Sequence, residues 1–330
     1  VAHEPRPARG RFAGWRRLAG GALATLLAAA GTGVAQQASR PGGAQGAAPA
    51  AQHARPVKRL LITNAMVIYG NAKPPYGPVD ILVEDGLIAR IGPNLQRARG
   101  DRPGIVPDAV IDATGKYVMP GMVNTHMHWH EIRMPDIPMP IQYERNMYLA
   151  TGTTTAREVG SSCPVESHPL CGGFDRVKTW RAEAAARSIV SPRIVIYPFV
   201  EKDRCRTPDE CRAQVREWKQ KGADGLKLVG FDRDQAAAII DEARKVGLPT
   251  TVHIAVEETT AKDYAELGVS SIEHFYGVGD AALDGIQDFP PEHNANNEIH
   301  RFGRAGELYI QRNFNPAKLS AVLDLMVKNG

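Results

Sequence analysis

The feature that most constrains this chain is a change of period at Tyr117. Beyond it, short apolar runs rich in Val, Ile and Thr alternate with stretches whose apolar residues recur every three or four positions. The runs are "YVMPGMVNTH", "TTTAREV", "RIVIYPFV", "DGLKLVG", "PTTVHI" and "SSIEHF". Between them lie "FDRVKTWRAEAAARSIV", "PDECRAQVREWKQKG", "RDQAAAIIDEARKVG" and "EETTAKDYAELG". Strands separated by amphipathic helices are the pattern of a parallel sheet with its connections packed outside. In the third stretch Ala236, Ile239, Ile240, Ala243 and Val246 share one helical face, and Gly247 is placed to stop the helix. Both faces of such strands are covered, so a polar residue on one needs a reason.

Six strand–helix units are legible. A closed (β/α)8 barrel takes eight units and about 250 residues. The expected fold is therefore α/β, a TIM barrel over 118–330 that is incomplete before strands seven and eight. A long polar insert, "GDAALDGIQDFPPEHNANNEIHRFGRAGELYIQRNFN", follows the sixth run. The last element, Pro316 to Asn329, reads as a helix with Leu319, Val322, Leu323 and Met326 on one face.

Residues 58–117 read differently. "RLLITNAMVIYG", "VDILVEDGLIARIG" and "AVIDATGKYVMPG" are β-rich, and Asp85-Gly86 between two apolar runs is a strong hairpin signal. This is expected to be a small β unit flanking the barrel.

The first 35 residues read as a signal peptide. A basic stretch ending in "WRRLAG" precedes "GALATLLAAAGTGVA", and Gly33-Val34-Ala35 offers small residues for cleavage. The apolar run is short and Gly-rich for a membrane span; a retained anchor is the alternative. Arg16-Arg17 is compatible with a twin-arginine route. Residues 36–57 read as a flexible linker. Five of the 40 basic residues and one of the 36 acids fall in residues 1–35, so the remainder is balanced and no basic surface argues for nucleic acid. Export to the periplasm or the cell exterior, with no other membrane association, is the expectation.

Four cysteines suit an oxidising compartment. Cys163 and Cys171 bracket one short segment and Cys205 and Cys211 another, which favours two local disulfides among three connectivities. A zinc site is the rival reading, though neither spacing is the usual gap of two to four.

Three histidines crowd "NTHMHWH". His126 and His128, two apart at a strand end, share a face. They would point at the carboxyl-end mouth of the barrel, where such folds place their chemistry. Neutral imidazole suits zinc and similar divalent ions; a hydrogen-bonded polar pair is the bland alternative. His253 ends "PTTVHI" and His274 ends "SSIEHF", both otherwise suited to burial. Lys227 sits inside "DGLKLVG", where an unpaired ammonium is costly. Either it is salt-bridged or snorkels to a strand end, or it is held neutral near metal ions. A neutral amine there can react with carbon dioxide to give a carbamate able to bridge two metals.

At these residues the chain resembles the amidohydrolase superfamily, over about 58–330, and residues 58–117 resemble the family's flanking β-sandwich domain. The resemblance rests on Pro120-Gly121 followed by "MVNTHMH", on "ATGTTTAREVG", "GADGLKL" and "DATGKYVMPG", and on His253 and His274 in order. It implies His126 and His128 as ligands of the more buried metal, Lys227 as a carboxylated bridge, and His253 and His274 as ligands of a second metal. The cofactors implied are two divalent ions, zinc foremost, and carbon dioxide for Lys227. His130 reads as a loop or substrate-pocket residue. Met134, Met139 and Tyr143 are pocket candidates more simply explained by packing. His293 and His300 read as solvated, and His168 is uninformative.

The family's eighth strand carries an aspartate that takes the attacking water's proton. No residue here matches it, and neither Glu158 nor Asp224 occupies its place. The general base is thus expected beyond the end of the chain, and the chain alone is expected to be inactive. The branch most resembled is the prolidase and imidazolonepropionase-related group. The implied activity is hydrolysis of amide C–N bonds in dipeptides, acylated amino acids or cyclic amides. The partner is then a small-molecule or dipeptide-like substrate; oligomeric state is left open. The alternatives are a deaminase or cyclic-imide hydrolase, and a non-catalytic exported metal-binding domain.

Overall fold

The computed structural model describes residues 57–97, 103–129, 139–160, 173–254, 259–285, 289–294 and 297–330. The expected signal peptide, nearly all of the linker, His130, Met134, His168, Cys163 and Cys171 lie outside these residues.

The first five strands form one mixed sheet. They are β1 (Arg59–Val67), β2 (Tyr76–Glu84), β3 (Leu87–Gly92), β4 (Ala109–Asp112) and β5 (Tyr117–Val118). The order is β3-β2-β1-β4, with β5 also on β1; β1 pairs antiparallel with β2 and parallel with β4 and β5. Asp85 (φ 51°) and Gly86 (φ 84°) make the tight turn between β2 and β3, the positive-φ pair that a two-residue hairpin requires. Ala65, Val67, Val79, Ile81 and Ala113 form this sheet's own core. The second layer of the expected sandwich is not found among the described residues, which form one layer with Leu87, Ile88, Val110 and Ile111 exposed.

The six remaining strands are all parallel to their neighbours. They are β6 (Met122–Met127), β7 (Thr153–Val159), β8 (Arg193–Tyr197), β9 (Leu226–Val229), β10 (Thr250–His253) and β11 (Ser271–Ile272). They pair as β6-β7-β8 and β9-β10-β11. A parallel bridge between Phe199 and Lys227, with Lys227 N–H donating to Pro198 O at 2.8 Å, joins β8 to β9. The result is one six-stranded arc in chain order. No closed eight-stranded barrel is formed by the described residues, in keeping with six legible units.

Helices α1 (Ile141–Ala150), α2 (Gly173–Ala185), α3 (Pro208–Lys221), α4 (Arg233–Val246) and α5 (Ala261–Leu267) follow successive strands; α6 (Glu298–Glu307) and α7 (Pro316–Asn329) come last. Their apolar faces build the main core against the arc. Phe174, Val177 and Trp180 come from α2, Val215 and Trp218 from α3, and Ala236, Ile239, Ile240 and Ala243 from α4. Gly247 ends α4 in the left-handed conformation at φ 68°. Thr207 and Glu210 form a capping box at the start of α3 with Pro208 in the first turn, and Cys205–Cys211 ties that turn down as a disulfide.

Two helices escaped the sequence reading. Helix α1 carries Tyr143, read only as a pocket candidate, and α6 lies inside the polar insert. The expected face of α7 is met in part: Val322 is buried and Met326 packs on the core, while Leu323 is 45% exposed.

Candidate functional site

The arc sorts its residues by the alternation of extended chain. Met127 (3% exposed) and Trp129 (0%) face the helices, where Trp129 meets Tyr148 and Trp180 edge-on at 5.8 and 6.0 Å. His126 and His128, one residue out of phase with them, take the inner face. On β9, Leu226 and Leu228 join the core, leaving Lys227 between them on the inner face, 2% exposed. On β10, Val252 joins the core, so Thr251 and His253 turn inward; Thr251 is the register partner of Lys227.

His274 breaks this alternation. Strand β11 ends at Ile272, and Thr251 pairs with Ser271, so Ser271 and Glu273 belong to the inner face. A chain continuing extended would send His274 outward with Ile272. Instead His274 has φ 59°, the left-handed region, and its ring lies 4.7 Å from that of His126 and 4.8 Å from that of His253.

Four imidazoles thus form a chain of contacts: His128 to His126 at 5.0 Å between ring centres, His126 to His274, and His274 to His253. Tyr276 closes one end, 5.2 Å from His253 and 4.9 Å from His274. At the other end His128 Nδ1 is 4.0 Å from Glu158 Oε1, a fully buried carboxylate.

The nitrogens carry more information than the rings. His126 Nε2 and His128 Nε2 are 3.2 Å apart. Two nitrogens on a tetrahedral zinc at about 2.0–2.1 Å are separated by about 3.3 Å. The pair therefore has the spacing of two corners of such a site. Among the described residues, however, no group of three or more His, Cys, Asp or Glu side chains is gathered so as to hold a metal ion. The donor chemistry and the pair spacing fit a divalent ion; the convergence of a third such donor is not part of the described geometry.

One residue central to the inner face was missed by sequence reasoning. Glu273 is 6% exposed. Its carboxylate accepts from His126 Nδ1 and Arg157 Nη2, each at 2.5 Å, and from Thr251 Oγ1. Burial pushes this carboxyl up, but the bonds from His126 and Thr251 and the charges of Lys227 and Arg157 outweigh it and hold it at about 2. Arg157 Nε also donates to Thr125 O at 2.5 Å, and its guanidinium lies 5.0 Å over the Tyr197 ring. Gly225 makes room for that ring, since a Cβ there would stand 2.3 Å from Tyr197 Cζ. A glutamate inside the apolar run "SSIEHF" was the available signal.

The other candidates are placed as follows. Asp224 lies just before β9, where it accepts from Arg181 Nη1 at 2.6 Å and from Ile196 N–H at 2.9 Å, a structural task. His293 and His300 are not simply solvated: both are partly buried, and His293 stacks on Phe289 at 4.5 Å. Burial holds His293 below the ordinary histidine range, reinforced by the charges of His300, Arg304 and Arg301. Tyr143 is 55% exposed on α1.

An arc of parallel strands covered by helices, with imidazoles gathered on its inner face, defines a class, the barrel-related α/β folds. The particular family follows from a match of residues 117–288, just over half the chain, to the amidohydrolase family; the chain belongs to it. Members of this family are generally metal-dependent. The dihydroorotase of Acetivibrio thermocellus is 28% identical over 192 residues, which are 57% of this chain and 37% of that enzyme. The chain thus matches little more than a third of that relative's length. Among solved structures, a prolidase complexed with N-methylphosphonate-L-proline superposes with a TM-score of 0.53 at 16% identity, over 82% of this chain and 76% of that one. An Xaa-Pro dipeptidase with bound methionine gives 0.51 at 17% identity, over 82% and 84%. These two likenesses show a shared fold.

Proposed function

We propose that this chain carries the metal-site part of a hydrolase that cleaves amide C–N bonds of small substrates such as dipeptides, acylated amino acids or cyclic amides. The observation that carries the reading is the run of four imidazoles, His128, His126, His274 and His253, on the inner face of the arc. His126 and His128 would hold one divalent ion; His253 and His274 would hold a second, with Lys227, carboxylated by carbon dioxide, between them. Zinc is the first candidate. Ions bound there would lower the pKa of a bound water toward neutrality and polarise a carbonyl oxygen.

The chain's own residues do the rest. Strands β6 and β10 and the turn after β11 carry the imidazoles at the carboxyl ends of the strands. Lys227 lies on the inner face, 2% exposed, in register with Thr251 on the strand that carries His253. Tyr276 packs its ring against His253 and His274 at one end of the run. The division into a flanking β unit (58–117) and a barrel (118–330), and export to an oxidising compartment, belong to the same proposal. The Cys205–Cys211 disulfide supports the latter.

The test is to express the intact gene product, count bound metal by elemental analysis, and assay a panel of Xaa-Pro dipeptides, N-acyl amino acids and cyclic amides. Two metals per chain, falling on Lys227→Ala, with hydrolysis of at least one panel class, is the expected result. Metal retained without hydrolysis across the panel overturns the catalytic part. A second reading, a non-catalytic exported domain, is favoured by the lack of three converging His, Cys, Asp or Glu donors among the described residues. It is the one that outcome would leave standing.

A further inference from the structure

Glu273 has no part in the reaction described above, yet it sits at the crossing point of the inner face. It lies just past β11, and it reaches His126 on β6, Arg157 on β7 and Thr251 on β10. The first two are separated from it by 147 and 116 residues. Each arm is itself anchored. Arg157 holds the Thr125 carbonyl, directly before His126. Thr251 Oγ1 accepts from Ser271 Oγ at 2.8 Å.

A carboxylate has only acceptor capacity. The hydrogen in the 2.5 Å contact between His126 and Glu273 therefore belongs to His126 Nδ1. In a neutral ring the other nitrogen, Nε2, keeps its lone pair, and it is this atom that faces His128 Nε2 at 3.2 Å. Metal-binding histidines are commonly oriented in this way, by a carboxylate on the far nitrogen. A plain lumen ion pair between Glu273 and Arg157 would not need the third arm to His126.

We propose that Glu273, braced by Arg157 and Thr251, is the positioning residue that fixes the tautomer and ring orientation of His126 and presents its Nε2 to a divalent cation. The cation rests on the reading in the preceding section; the tautomer rests on this geometry alone.

Two readouts test it on the full chain. Long-range 1H–15N spectra of the histidine rings report the tautomer, with the His126 signals identified by their loss in His126→Gln. Zinc titration by calorimetry reports affinity. The native chain is expected to show His126 protonated on Nδ1. Glu273→Gln is expected to shift it toward the Nε2–H form and to weaken zinc about 10- to 100-fold, with Glu273→Asp recovering part of both. A tautomer and a zinc affinity unchanged in Glu273→Gln overturn the proposal. If the native chain takes up no zinc, the metal-site reading fails, and the spectra still decide whether Glu273 sets the ring. Should Glu273→Gln not fold, Thr251→Val removes one brace with little change of shape. It is expected to lower zinc affinity several-fold, and an unchanged affinity there counts against the proposal equally.

Discussion

The five-stranded sheet and the six-stranded arc depart from ordinary burial in opposite directions. The sheet leaves apolar side chains in the open, with Leu87 at 74% and Ile88 at 65% exposure. The arc does the reverse and encloses Lys227, Glu158, Glu273 and Thr251. A buried polar group survives only if its partners are supplied, so the arc must specify its interior atom by atom. An exposed apolar residue needs no partner and is individually unremarkable. Geometric precision is therefore concentrated on the inner face of the arc, and tolerance on the outer face of the sheet.

That contrast can be broken most sharply at Trp129. It is fully buried against Tyr148 and Trp180, and Trp129→Ala is expected to cost about 3–5 kcal/mol in denaturant unfolding. A loss below about 1 kcal/mol would show that the arc's helix side tolerates cavities as readily as the sheet's open face. Removing the Cys205–Cys211 crosslink by Cys211→Ser is expected to cost about 2 kcal/mol, the scale for a short closed loop, read as a lowered melting temperature under non-reducing conditions.

A smaller effect tests charge. Burial raises the Asp263 carboxyl, but the backbone and hydroxyl of Thr260 and the guanidinium of Arg233 outweigh it, so its pKa lies below the ordinary 3.8. A folded pKa below the unfolded one gives stabilisation that is present above pH 3.8 and fades as pH falls below it. Asp263→Asn should thus melt lower than the native chain near neutrality, with the gap closing in acid; a gap that widens there would reverse the assignment. The least effect is expected at Leu87: Leu87→Thr should change stability by within about 0.5 kcal/mol. A larger loss would mean that this face is covered in solution.

How much of this was legible follows from the range of the interactions. Strand β7 coincides with the run "TTTAREV", and the stop of α4 at Gly247 needed only local backbone chemistry. Lys227 was conspicuous because a charge interrupts an apolar run. The pairing of Glu273 with His126 and Arg157 was invisible, since each residue looks ordinary alone and more than a hundred residues separate them. Helix α6 was hidden by the polar composition around it, where its start is set by Asn297 accepting from the backbone of Ile299 and His300. His274 was placed at the end of the run "SSIEHF", whereas β11 stops at Ile272 and His274 turns into the left-handed region. The sandwich was expected from resemblance rather than from the residues, and the described residues form one layer.

The left-handed backbone at His274 carries a consequence for anyone improving this protein in the laboratory. Gly or Asn would sit at φ 59° with less strain than most side chains. A library screened for heat resistance alone would be drawn to those replacements, gaining a few degrees while discarding the ring that links His126 to His253. Position 274 is where selection for robustness and selection for chemistry pull apart, and a screen here should reward both at once.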